Sequence, residues 1–235
     1  MSQGFATQNS IPNPLTVARG GTGLTTTTAN NLLYSSATGV IANLPTAASM
    51  QIEAGTLATK GGLVLISSAQ ATASSAIDFT SINNTVYNSY CIVGDNIIPT
   101  TDATSLLMYI SIAGTFIGAA GNYRHQNWRY TSSANGVSGS TADTQIIINS
   151  SSETLGSSAD EVFSFKLLFF NAGQTTQKKR CNWEWSMISS APTTLSGVAG
   201  GMFIGSNGAV DGFRFGMSSG TIASGIFTLY GIKNT

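Results

Sequence analysis

A single histidine, His125, bounds the chemistry open to this 235-residue chain. A nucleophilic triad needs a base, and no second imidazole exists to serve as one. His125 lies in Tyr123-Arg124-His125-Gln126-Asn127-Trp128-Arg129-Tyr130, with no adjacent carboxylate to orient its ring. Of ten carboxylates, only Asp160 and Glu161 are neighbours in sequence. Adjacent strand positions point to opposite faces, so this pair cannot act as the opposed acids of a glycosidase. It reads as a solvated strand start. No catalytic residue is expected.

The same stretch suits recognition better than reaction. Trp128 and Tyr130 offer flat apolar faces with polar edges. Arg124, Arg129, Gln126 and Asn127 add planar donors that grip hydroxyls or carboxylates. With His125 among them, they form a candidate contact to a polysaccharide or lipopolysaccharide surface. A second reading stands beside it: one face of the segment packs in a core or against a sister subunit. Lys178, Lys179 and Arg180 make the one dense charge run. It reads as a solvated loop tip or as a contact to anionic sugars, whose steering salt weakens.

Other candidate groups lead nowhere. Asp95 and Asp102 flank 96–101 without the spacing of a dedicated calcium loop, so no metal is expected. Cys91 and Cys181 show neither zinc-ligand spacing nor a disulfide framework. Each sits in an apparent strand, where a free thiol serves as a small buried hydrophobe. The glycines of Gly20-Gly21-Thr22-Gly23 lack the Lys-Ser/Thr ending of a phosphate loop. No cofactor is expected.

Composition narrows the partners. Charged residues are 9% of the chain and the formal net charge is zero, against about 25% charged in ordinary soluble domains. Near-zero charge promotes association, so much of the surface should be hidden between copies. A neutral balance argues against nucleic acid, whose phosphates need clustered Lys and Arg. No apolar run reaches the ~20 residues of a membrane span. MSQGFATQNS also lacks the basic lead and apolar core of a secretory signal. No membrane insertion is expected.

The candidate contacts need a scaffold, and from Gly61-Gly62 onward the chain reads as all-β. Leu63-Val64-Leu65-Ile66 is a continuous apolar run of strand length. Glu161 to Phe170 alternates most clearly, with Phe163, Phe165, Leu167 and Phe169 on one face. Trp183, Trp185 and Met187 align on the returning strand. Further strands are expected at Tyr87–Val93, Leu106–Ile112, Tyr123–Tyr130, Gln145–Asn149, Gly212–Met217 and Ile226–Ile232. Roughly eight to ten short strands suit a two-sheet antiparallel β-sandwich, jelly-roll-like, with Phe213 and Phe215 in its core.

The first quarter is different. Residues 1–18 are polar, nearly uncharged and carry Pro12 and Pro14, which favours an extended docking arm. Residues 19–60 begin RGGTGLTTTTANNLLYSSATG, and no charged side chain lies between Arg19 and Glu53. Such a segment cannot offset the roughly 1–2 kcal/mol per residue of backbone ordering by itself. Gly20, Gly21 and Gly23 remove the Cβ atoms that hold backbones apart. Together with Leu32, Leu33 and Tyr34 they form a candidate oligomerisation segment. A helical turn is expected at Thr27 to Tyr34 or around Ala47 to Ala54.

This segment, with its lead from Pro14 to Ala18, resembles the GGTG elements of tailed-bacteriophage tail fibres and related virion appendages. The stretch IDFTSINNTVYNSYCIVGDNIIPTTD (Ile77 to Asp102) and the closing FTLYGIKNT (Phe227 to Thr235) resemble β-sandwich domains at distal fibre ends or decorating phage particles. The resemblance implies a non-enzymatic virion protein, assembled in the host cytoplasm and exposed on the particle. As a short tail fibre or spike it would attach to tail or baseplate by its N-terminus. Its sandwich would contact the host cell surface. A head-decoration or head-fibre protein anchored on the capsid is the alternative; a carbohydrate-active depolymerase lacks the acid pair.

The resemblance and the scarcity of charge together imply a homotrimer. Light scattering of the purified chain should give three times the monomer mass. A folded monomer at low concentration would refute it.

Overall fold

Alternating side chains place the central strand of the protein. Phe163, Phe165, Leu167 and Phe169 are buried, and the residues between them are half-buried or exposed. A pleat of period two requires this. The computed structural model describes residues 32–37, 40–44, 51–53, 56–58, 62–80, 82–131 and 134–233. Among these there is no helix, and the strands pair antiparallel. The chain divides into two compact units, Met1–Lys60 and Gly61–Thr235.

In the first unit β1 (Leu32–Ala37) pairs with β2 (Val40–Leu44), and β3 (Gln51–Glu53) with β4 (Thr56–Ala58). The helical turns expected here are therefore strand where they are described. Leu33 faces Asn43 and Tyr34 faces Ala42, so the backbone gains a paired ladder. An isolated short helix has no such support. Gly20, Gly21, Gly23 and the arm of residues 1–18 lie outside the described residues.

The described residues of the second unit hold thirteen strands rather than the roughly eight to ten expected. In chain order they are β5 (Leu63–Ser74), β6 (Ile77–Thr80), β7 (Tyr87–Pro99), β8 (Leu106–Ile112), β9 (Thr115–Phe116), β10 (Tyr123–Tyr130) and β11 (Asn135–Asp143). Then come β12 (Ile146–Ile147), β13 (Phe163–Phe170), β14 (Lys179–Ile188), β15 (Thr194–Phe203), β16 (Val210–Met217) and β17 (Ile222–Lys233). One sheet has eight strands in the order β11-β10-β15-β14-β13-β7-β17-β5. The other has five, β12-β8-β16-β6 with β9 beside β8.

Aromatic rings join the two sheets. Phe169 of β13 meets Phe213 of β16 edge-on at 5.0 Å between centroids, and Phe165 meets Phe215 at 5.6 Å. Phe215 also lies 5.3 Å from Phe227 of β17. All eight residues expected in the core are buried: Phe163, Phe165, Leu167, Phe169, Trp183, Trp185, Phe213 and Phe215. Tyr123 bridges the layers through its hydroxyl, which accepts from Ile110 N at 3.1 Å and donates to Ile117 O at 2.8 Å.

The unexpected strand β15 reads TLSGVAGGMF, and its glycines disguise it as a loop. They have a packing reason instead. A Cβ on Gly197 would sit 2.5 Å from the Trp185 indole and 2.6 Å from the Trp128 carbonyl. Glycine here admits the ring under the strand.

Phe165 sits at the centre of the aromatic layer, so Phe165→Ala should cost about 3–5 kcal/mol. Chemical denaturation of the variant measures this. An unchanged midpoint would put that strand face on the wrong side.

Candidate functional site

Strand β10 carries the aromatic and basic run, and its pleat sorts those residues into two sets. Tyr123, His125 and Asn127 point inward and are buried. Arg124, Gln126, Trp128 and Tyr130 point outward and are exposed, and Arg129 is half-buried. The expected contact set is thus divided. Arg124, Trp128 and Tyr130 share one surface, while His125 lies behind it.

His125 is 3% exposed and neither ring nitrogen has a hydrogen-bond partner. It cannot touch a surface ligand. On the inner face it lies in one cross-strand row with Gly201 and Cys181. A histidine beside a cysteine is a familiar nucleophilic pair, but burial opposes that chemistry here. It pushes the Cys181 thiol up to about 12, against a smaller effect from the Gly201 amide. It also holds the imidazole below its ordinary value, against a weaker opposing pull from Asp143. A protonated thiol and a neutral ring do not make a thiolate nucleophile.

Lys179 is the second correction. It is fully buried, and its ammonium donates to the carbonyls of Gln174, Gln177 and Asn207. Desolvation lowers its pKa, with a smaller contribution from Lys178. Lys179 therefore ties down a loop rather than meeting sugars. Its neighbour Lys178 is exposed and donates to Ile204 O at 2.9 Å. Arg180 is exposed on the outer face of β14.

Other sequence readings shift as well. Glu161 is buried, with Oε2 accepting from Ser158 N at 2.9 Å, so it is no solvated strand start. Asp95 Oδ1 accepts from Ser164 Oγ at 2.8 Å, and β7 runs on through Pro99. Cys91 pairs with Leu168, and Cys181 with Phe169. Successive residues of β13 face opposite ways, so the two thiols lie on opposite faces of the sheet. Both are free and buried. Among the described residues no group of three His, Cys, Asp or Glu is placed to hold a metal.

What remains is a surface site. The outer faces of β11, β10, β15 and β14 enclose a groove of about 700 Å³. Trp128 lies between Val137 of β11 and Val198 of β15. Gln126 faces Gly200, which faces Asn182 in turn. Arg124 and Arg180 flank Met202 from either side. Val137, Val198 and Met202 come from strands the sequence hid among glycines and serines. Their place beside β10 is set by cross-strand pairing, which no local pattern in the sequence marks.

No family model matches the chain, and no curated protein or solved structure matches it. The site therefore stands on its own geometry.

The buried imidazole gives a pH dependence with a definite sign. Its folded pKa lies below the ordinary 6.5, so its contribution is complete above that value. As pH falls below about 6.5, the unfolded chain takes up a proton that the folded chain resists, and stability drops. Melting temperature should decline from pH 7 to pH 5, and His125→Leu should flatten that decline. Parallel profiles for variant and parent would refute it.

Proposed function

We propose that this protein is a structural virion protein of a tailed bacteriophage, a short fibre or spike with no catalytic role. Its N-terminal segment attaches to the tail or baseplate, and its β-sandwich contacts the host cell surface. The observation that carries this reading is the uncovered outer face of the eight-stranded sheet. Trp128, Tyr130, Val137, Val198 and Met202 are exposed there together. An apolar surface of that kind is typical of an interaction site. The GGTG resemblance of the first unit supports the virion assignment.

Self-association is part of the proposal. The edge strands β5 and β11 contain no Lys, Arg or Pro, the usual devices against edge pairing. Leu63 and Leu65 on β5 are exposed as well. Copies of the chain in a homotrimer would cover such edges. Gly20, Gly21, Gly23, Leu32, Leu33 and Tyr34 are the proposed oligomerisation segment.

Deleting residues 1–18 should abolish incorporation into particles while the Gly61–Thr235 unit keeps its melting transition. That unit has its own aromatic core, so it needs nothing from the arm. Quantifying particle-bound protein and imaging its position give the answer. Normal incorporation without the arm would overturn the anchor assignment, and density on the capsid would favour a head fibre instead.

A further inference from the structure

The outer groove has a chemical polarity along its length. At one end Trp128 presents a half-exposed indole beside Val137 and Val198. Arg124 lies four residues along the same strand, about 13 Å away at strand rise. Arg180 lies two strands from Arg124, about 10 Å across the sheet. The floor between them is Gly200, with the Gln126 and Asn182 side chains on either side.

The two guanidiniums differ from the other cations of this unit whose side chains are described. Arg129 pairs with Glu153, Lys166 with Glu184, and Arg214 with Asp78. Lys178 and Lys179 donate to backbone carbonyls. Arg124 and Arg180 have neither an ion pair nor a hydrogen bond to another described residue. The acid nearest the Trp128 end, Glu184, is engaged by Lys166 at 3.4 Å. At the other end the nearby acid is Asp143, opposite Tyr123 on β11, whose Oδ1 accepts from Thr144 N at 2.8 Å and Gln145 Nε2 at 3.0 Å.

We propose that this groove binds an acidic saccharide, with a carboxylate held by Arg124 and Arg180 and a sugar ring stacked on Trp128. Guanidinium forks match planar carboxylates, and the indole face accepts the apolar face of a pyranose ring. Gln126 and Asn182 supply amide donors and acceptors for hydroxyls in between. Nucleic acid also combines stacking with negative charge. It needs a longer basic track than two arginines on a neutral chain provide. This inference rests on the reading of the sandwich as a host-contact unit and gives that contact its chemistry.

The test is titration of the full chain with oligogalacturonate and with a sialylated oligosaccharide. Neutral dextran and a thymidine oligonucleotide serve as comparators. Trp128 reports binding by fluorescence, because Trp183 and Trp185 are buried. At least one acidic sugar should bind, and added salt should weaken it. Arg124→Gln and Arg180→Gln should each weaken it about tenfold or more. Gly200→Leu should block it with all charges retained. A Cβ there meets only Cys181 O at 3.9 Å, an ordinary contact, so the strand tolerates the change.

No binding of either acidic sugar, equal binding of dextran or the oligonucleotide, or undiminished binding by Gly200→Leu would each overturn the site. Those results would leave the virion assignment standing. Acidic-sugar binding by a protein that imaging finds on no particle would do the reverse.

Discussion

Two sheets can close over one another only if side chains fill the ~10 Å between them, and here aromatic rings do most of it. Phe165 touches the rings of Phe163, Phe215 and Phe227, so two strands of one sheet and one of the other converge on it. The close fit appears at Gly94 of β7. A Cβ there would lie 2.2 Å from Phe165 Cε1. Gly197 does the same for Trp185. Ring on one strand and glycine on its neighbour is the constraint that sets the register of the large sheet. Everything on its outer face inherits that register. Arg124, Met202 and Arg180 form a row because the inner residues Tyr123, Phe203 and Lys179 form the neighbouring one.

The fold was legible wherever large apolar residues alternate without interruption. The bounds of β8 and β10 and the core faces of β13 and β14 could be read from the pleat alone. β15 and β11 could not, because glycine and serine occupy the positions where alternation would show. Their place depends on neighbours far away in sequence, which propensity does not record. The excess of strands over expectation comes from these segments and from short pieces such as β9 and β12.

The candidate site was half legible for the same reason. The residue types of 123–130 and 178–180 pointed to recognition, but a cluster in sequence is not a cluster on a strand. Running the Trp183–Trp185–Met187 alternation backward turns Cys181 and then Lys179 inward. Running it along β10 turns His125 and Asn127 inward with Tyr123. Asn127 then accepts from Trp185 Nε1 at 3.1 Å and donates to Ile147 O at 3.3 Å, which satisfies a buried amide. His125 has no such partners, and that difference is invisible in composition.

Scarcity of charge gives each remaining charge its meaning. In a chain with a quarter of its residues ionised, two unpaired arginines on a surface are unremarkable, since most exposed charges are simply solvated. This chain has ten basic side chains in all. In the sandwich unit most of those described are fixed by a carboxylate or by carbonyls. The two that are not lie on either side of one methionine, beside a bare glycine and within reach of an exposed indole. Keeping them unpaired gains the fold nothing, because an exposed cation without a partner adds little to stability. The proposed ligand, an anion with a flat apolar ring, gives both of them and the indole one role.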